Sequence, residues 1–271
     1  MCAAALLDAG ASEEAVRRAL ESLPVEGFAV EISRVKKSGL DVCDFSVVLD
    51  AAHENHDHDM AYLHGHGGAS EHGHGHDHDR DHGRAHDHDH AHGAPGGHHH
   101  RGPAEIAQII DGAAMTDGAK AIAHRMFGFV ADAEARAHGV PVGEVHFHEV
   151  GAVDSIADII AIAVAADDLA PDGVVVSDLP CGYGTVRCQH GLIPVPAPAT
   201  AFIAEAAGLT LSPVDVEGEL VTPTGAAAAA ALRTEAALPE RFSIKAIGMG
   251  AGKRAYDTPG ILRAMIIEPA E

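Results

Sequence analysis

Apolar residues recur along this chain with a period of about 3.6 in some stretches and about two in others, and each change of period marks a change of element. Met1 to Ala9 reads as a short apolar helix without a polar start. Ser12 followed by Glu13 and Glu14 is a good N-terminal signal, and Ala15, Val16, Ala19 and Leu20 form the apolar stripe of a helix that ends before Pro24. Phe28, Val30 and Ile32, then Cys43, Phe45, Val47 and Leu49, alternate with polar residues, so two strands are expected, joined near Ser38-Gly39. From Pro103 onward Ile106, Ile109 and Ile110, and then Ile122, Met126, Phe129 and Val130, return to helical spacing and predict two helices. A short extended piece, VHFHEV, should lead into a helix over Val153 to Leu169, followed by a strand over Gly173 to Val176. Helices over Ala199 to Ala207 and Gly225 to Leu232, and strands over Phe242 to Ile247 and Leu262 to Ile267, complete the reading. The expected class is α/β (α+β): a mixed sheet with packed helices, interrupted by a disordered His-rich loop.

That loop is where all periodicity stops. Seventeen of the 22 His of the chain lie between His53 and Arg101. They are His53, His56, His58, His64 and His66, then His72, His74, His76, His78 and His82, then His86, His88, His90 and His92, and finally His98, His99 and His100. Asp and Gly separate them, and almost nothing there is apolar. Ordering each residue costs roughly 1–2 kcal/mol of backbone entropy, so a segment with no core to bury should stay disordered until something binds it. Neutral imidazole is a borderline ligand suited to Ni, Cu and Zn, which makes the tract a metal-gathering segment for late divalent ions. An expression tag would be terminal and homogeneous, whereas this run is internal, irregular and mixed with Asp. The organisation that follows is a folded region over 1–50 and 102–271, with 51–101 as a metal-binding loop. The strongest nickel candidates in the loop are His72, His74, His76, His78, His86, His88, His90, His92, His98, His99 and His100.

Charge narrows the partners. Lys and Arg number 18 against 40 Asp and Glu, a formal charge of −22 in 271 residues, and the tract supplies only nine of those acids. The folded part is therefore acidic too, which disfavours nucleic acid and anionic membrane and favours cations. Cys2, Cys43, Cys181 and Cys188 form no CxxC pair, which argues against a disulfide framework and a thiolate zinc site. No apolar run reaches the roughly 18–20 residues of a membrane span and no signal peptide is visible, so a cytoplasmic location is expected.

Two further constellations carry chemistry. In His146-Phe147-His148-Glu149 the imidazoles are two apart, which in an extended chain places them on one face, able to chelate one ion, with Phe147 turned to the core. Asp154 and Asp158, four apart at the start of the next helix, would add carboxylates to a mixed N/O site with His146, His148 and Glu149; the plainer alternative is that Asp154 caps that helix and one His is a structural hydrogen-bond partner. His124 and His138 read as ordinary surface or core histidines. Between Pro180 and Pro198 the run CGYGTVRCQHGLIPVPAP is a shaped loop whose glycines admit close ligand approach and whose prolines hold an extended wall, with His190 as a substrate-binding candidate. Thr222-Pro223-Thr224-Gly225 opens an Ala-rich helix and gathers N–H groups and hydroxyls, so Thr222, Thr224 and Gly225 are candidates for a phosphate, or Thr222 or Thr224 is a plain N-cap. No Walker A sequence and no GxGxxG after a strand occurs, which disfavours a His-rich GTPase metallochaperone.

HFHEVGAVDSIADI, GTVRCQHGLIPVPAPAT, GELVTPTGAA and IGMGAGKR, in this order and together with the His-rich insertion, resemble the nickel-insertion proteins of nickel-pincer nucleotide cofactor synthesis, the LarC family. The resemblance covers nearly the whole chain. It implies a chelatase, a lyase-type metal insertion, that places Ni2+ between the sulfurs of a pyridinium bisthiocarboxylic acid mononucleotide, with CTP hydrolysis, aided by Mg2+ or Mn2+, coupled to insertion. The product would serve lactate racemase and related enzymes. Family members open with a strand and turn of the form FDxFxGISGDM and continue into a small C-terminal domain that handles nucleotide and supports homo-oligomers. Here the chain starts at what looks like the final Met of that turn and stops at Glu271. The expectation is that either a separate C-terminal chain supplies CTP handling, or this is a fragment or a split-gene product. The competing class is a His-rich nickel storage protein or metallochaperone without catalytic activity, which needs only the tract.

Overall fold

A computed structural model describes residues 1–50, 101–145, 147, 152–188 and 190–270. The His tract, residues 51–100, lies outside the described residues, as do His146, His148 and Glu149.

The chain opens with two short helices, α1 (Cys2–Asp8) and α2 (Glu13–Glu21), and a hairpin of β1 (Phe28–Lys37) and β2 (Leu40–Leu49). Ser12 caps α2 by accepting the Ala15 N–H at 3.1 Å, as its position ahead of two glutamates predicts. The hairpin turns at Ser38 (φ 51°) and Gly39 (φ 81°), the pair of positive φ angles that a tight turn between right-twisted strands requires. Beyond the tract come α3 (Pro103–Gly112), α4 (Asp117–His138), a single 3-10 turn (Val142–Glu144) and α5 (Val153–Leu169). Then follow β3 (Leu179–Tyr183), β4 (Thr185–Cys188), β5 (Gly191–Pro194), α6 (Pro198–Ala207), β6 (Leu211–Glu217), α7 (Pro223–Leu232), β7 (Phe242–Ala251) and β8 (Ile261–Pro269). The mixed α/β class is as expected.

The main sheet has the order β1-β2-β7-β8. Its two hairpins are antiparallel, and β2 meets β7 in parallel at Cys43↔Gly250. A helical layer of α4, α5, α6 and α7 forms most of the core. In α5 the apolar residues go all the way round, and Ile156, Ile159, Ile160, Ala161 and Ala163 are all buried, which is the pattern of a helix surrounded by others rather than one with a wet face. Each buried Ile contributes roughly 1.5–3 kcal/mol of transfer free energy, so this helix anchors the fold. Polar links tie its C-terminal end to the neighbouring helix starts: Asp168 accepts the Ser12 N–H at 2.7 Å, and Asp167 accepts from Thr116, whose hydroxyl caps α4 at Ala119 N.

Helix α1 lies against β7. A Cβ on Gly248 would stand 2.0 Å from the Ala5 carbonyl oxygen, and one on Gly250 would stand 2.2 Å from that of Met1, so the glycines of IGMGAGKR admit the helix backbone onto the strand. Asp8, at the end of α1, fixes the docking: it accepts the Met249 N–H at 2.7 Å and pairs with Arg34 of β1.

Two expectations need correction. The strand over Gly173 to Val176 is reduced to an isolated bridge, Val175↔Glu235, because Val174 is held by the turn after α7 through Thr234 and Glu235 and no ladder is at hand. Conversely, the loop from Pro180 contains real pairing: β3 runs parallel to β6, and β4 is antiparallel to β5. No helix among the described residues is long and apolar enough to cross a membrane.

Candidate functional site

Phe147 is 2% exposed and meets Phe127 edge-on at 5.0 Å between ring centres, so it faces the core as alternation predicts. Its neighbours His146, His148 and Glu149 lie outside the described residues, and their role stays an expectation. Asp154 does not cap α5. The cap position is Ala152, and Asp154, in the first turn, accepts the adjacent Ser155 N–H at 2.9 Å, where a carboxylate also complements the helix dipole. One turn further on, burial pushes the Asp158 carboxyl up to about 6; the Met1 ammonium opposes the rise, Asp154 adds to it and Lys253 again opposes it. Burial also raises the Cys2 thiol to about 11. Lys253, beyond β7, holds Asp44 of β2 through Oδ1 at 2.7 Å. The start of α1, the first turns of α5 and the β7–β8 connection thus meet in one acidic, partly desolvated edge. Among the described residues no three His, Cys, Asp or Glu side chains already surround a common point.

The second candidate region is the turn before α7. Thr222 is its N-cap, with its hydroxyl accepting the Gly225 N–H at 3.2 Å, so that hydroxyl is engaged in capping, while Thr224 stands in the first turn. The turn is braced from inside. Glu219, 6% exposed, takes Arg254 Nη1 on its carboxylate at 2.9 Å and on its carbonyl at 3.0 Å, and Tyr256 also donates to that carbonyl at 3.0 Å. Burial, the largest single effect, lowers the Arg254 pKa, but the charges and hydrogen bonds of Glu219 and Tyr256 together outweigh it and the pKa is raised. Beside this turn Cys181, Gly182, Pro196, Thr200, Leu220 and Val221 line a small concavity of about 10 Å3, room for little more than one water molecule. Thr200 closes one side by donating to the Val221 carbonyl at 3.3 Å.

His190 is not among the residues lining that concavity. It sits at the tip of the β4–β5 hairpin beside Cys188 and against His138 of α4. No local pattern singles out His138, Glu219 or Tyr256, and Lys253 and Arg254 are marked only as the end of the motif IGMGAGKR. His124 is the ordinary surface histidine expected, bonded to Asp111 at 2.7 Å.

Comparison with known proteins bears on what these regions do. The chain matches the nickel insertion protein family over residues 1–271. It is 45% identical over 270 residues to the pyridinium-3,5-bisthiocarboxylic acid mononucleotide nickel insertion protein of Alkaliphilus metalliredigens, covering 99% of this chain and 57% of that one. Proteins of the same name from Geobacillus kaustophilus and Staphylococcus saprophyticus are 34% and 31% identical, each with 56% of its length covered. The chain thus spans less than three fifths of the length of these relatives. No solved structure matches it. With every motif from HFHEV to GAGKR falling inside the matched region, this chain belongs to the nickel insertion protein family.

Proposed function

We propose that this chain is the nickel-handling lobe of an enzyme that inserts Ni2+ into pyridinium-3,5-bisthiocarboxylic acid mononucleotide, producing the nickel-pincer cofactor of lactate racemase and related enzymes. The observation that carries the reading is family membership over residues 1–271, with relatives whose names state that substrate. In this reading the tract collects nickel from solution. His146 and His148, with Glu149 or Asp154, hold one ion transiently, and Asp158 tunes the charge of the edge from the next turn of α5. The α7 start receives the phosphate of the mononucleotide on the Thr224 hydroxyl and first-turn N–H groups, where the helix dipole favours an anion. Soft thiocarboxylate sulfurs then draw the ion from borderline N/O donors, so a site of modest affinity suits transfer. CTP, with Mg2+ or Mn2+, is assigned to the part of the relatives' length outside the matched region, and the complete protein to a homo-oligomer in the cytoplasm.

The test is to mix the purified chain with Ni2+, cofactor precursor, CTP and Mg2+ or Mn2+, with and without the remaining segment of a relative, and to follow nickel incorporation together with CMP or pyrophosphate release. Nucleotide turnover is expected only with the added segment. Turnover by the chain alone would overturn the division of labour. Thr224→Val should weaken precursor binding about 10- to 150-fold, the loss of one hydrogen bond to a charged group, with little change in thermal stability because Thr222 is the cap.

The storage reading draws on the tract, and one variant separates the two. Deleting 52–101 should leave insertion intact at excess nickel and cut capacity. The intact tract should take up several ions above a pH of about 6.5 and release them below it, since protonated imidazole cannot coordinate. Calorimetry giving one tight site, or binding indifferent to pH, would count against a reservoir.

A further inference from the structure

The tip of the β4–β5 hairpin and the C-terminal end of α4 bring together metal donors that the reading above leaves unused. Cys188 Sγ lies 3.7 Å from His190 Nδ1. The His190 ring is tilted against that of His138, with 4.9 Å between centres, and His138 Nε2 is 3.5 Å from Glu134 Oε2 one helical turn earlier. Two donors bound to one ion, at about 2.3 Å for sulfur and about 2.0–2.1 Å for imidazole nitrogen, stand roughly 3.5 Å apart at a tetrahedral angle. The Cys188–His190 separation is close to that spacing before any ion binds.

The supports of this cluster are fixed while its donors remain accessible. The Cys188↔Gly191 pair closes the hairpin below His190. Helix α4 ends at Gly139 in the left-handed conformation and is tied to α6 by Arg136, which pairs with Glu205 and lies 4.1 Å over the Phe202 ring. His190 is exposed, and the His138 side chain is 34% exposed, so both imidazoles stand at the surface rather than in the core. The carbonyl end of a helix also favours a cation.

We propose that Cys188, His190 and His138 form a second metal site, separate from the His146–His148 segment and the His tract, that takes one borderline divalent ion of the Ni2+, Co2+ or Zn2+ class. Cys188 and His190 form the initial chelate, His138 completes it by ring rotation, and Glu134 orients His138 or supplies an oxygen. On binding, the Cys188 S–H bond breaks, the sulfur bonds the metal as thiolate, and the proton passes to solvent. A thiolate ligand distinguishes this site from the tract, which holds imidazoles, carboxylates and the thioether of Met60 but no cysteine. The proposal does not rest on the insertion reading, because it is tested without cofactor precursor.

The experiment is a Co2+ titration of the full chain under reducing conditions, following the sulfur-to-cobalt charge-transfer absorption, to which imidazole and carboxylate sites are silent. One such site per chain is expected. The band should vanish in Cys188→Ser, and the affinity behind it should fall at least about ten-fold in His190→Ala and His138→Ala. Circular dichroism of each variant reports folding. Alkylation read by mass spectrometry is the second measurement: Ni2+ or Zn2+ should protect Cys188 and leave Cys181 as reactive as before. A band that survives in Cys188→Ser, the absence of both band and protection, or unchanged affinity in His138→Ala overturns the site.

Discussion

Replacing both His146 and His148 by Ala should reduce nickel insertion to background while leaving the fold in place. The expectation combines their spacing with the position of Phe147 between them. Phe147 is buried against Phe127, and Val145 is buried two residues earlier, so the odd-numbered side chains of this extended piece belong to the core. The sequence-based expectation of an extended piece puts the even-numbered pair on the opposite face. Metal sites built from few donors lose their function when the imidazoles go, so no partial activity is expected from the double variant at nickel concentrations that saturate the parent. Thermal unfolding separates a ligand from a structural hydrogen-bond partner. Removing a buried, satisfied His costs about 1–3 kcal/mol, and a domain of this size loses roughly 2–4 °C of Tm per kcal/mol. An unchanged Tm with lost insertion supports ligation. Wild-type insertion would remove both residues from the mechanism, and a large drop in Tm would recast them as structural. Asp154→Asn should have a smaller effect, because it preserves the acceptor to Ser155 N–H and removes only charge.

How much of this was legible beforehand depended on whether the signal was local. The long helices were, because an apolar stripe sustained over several turns has few other readings, and α5 was placed at its observed bounds, Val153–Leu169. The β1–β2 hairpin was legible for the same reason, from period-two alternation on both sides of Ser38-Gly39. The small sheets were not. Pro180, Pro194 and Pro213 lie inside β3, β5 and β6, and a proline normally argues against a strand. In β6 only Val214 and Val216 are left to alternate with Asp215 and Glu217, too short a run to read. The opposite error came from three consecutive valines, Val174 to Val176, whose preference for extended backbone finds a turn and no partner strand. At the site, the HxH pair and the two aspartates are local patterns and were read directly. The Glu219–Arg254–Tyr256 brace was not, since its partners are 35 or more residues apart and only the fold brings them together. The meeting of His138 with His190 is tertiary in the same sense.

The other large effect expected is on stability, at Gly248. Substitution by Ala should destabilise the protein by about 3 kcal/mol or more, at the upper end of what overpacking costs, because the atoms in the way are backbone. The added carbon would lie 2.0 Å from the Ala5 carbonyl oxygen and 2.4 Å from the Ala9 nitrogen, and a helix backbone cannot turn aside as a side chain can. Helix α1 must therefore move off β7. The Asp8 bond to the Met249 N–H would be lost with it, and so would the burial of Ala3, Ala4 and Ala5. At roughly 2–4 °C per kcal/mol this lowers Tm by about 6–12 °C. Insertion should fall as well, because α1 carries Cys2, whose thiol interacts with Asp158, to the edge of the proposed nickel site. The same substitution at Gly128 is the control. Gly128 lies within α4, and a Cβ there meets nothing within 4 Å, so Ala gains helix propensity without a clash and should stabilise by roughly 0.5–1 kcal/mol. One chemical change thus carries opposite signs at two positions, and thermal or denaturant unfolding of the two variants reads them directly. If Gly248→Ala matched the parent in Tm, α1 would not be docked on β7 as described, and the acidic edge built on that docking would have to be abandoned with it.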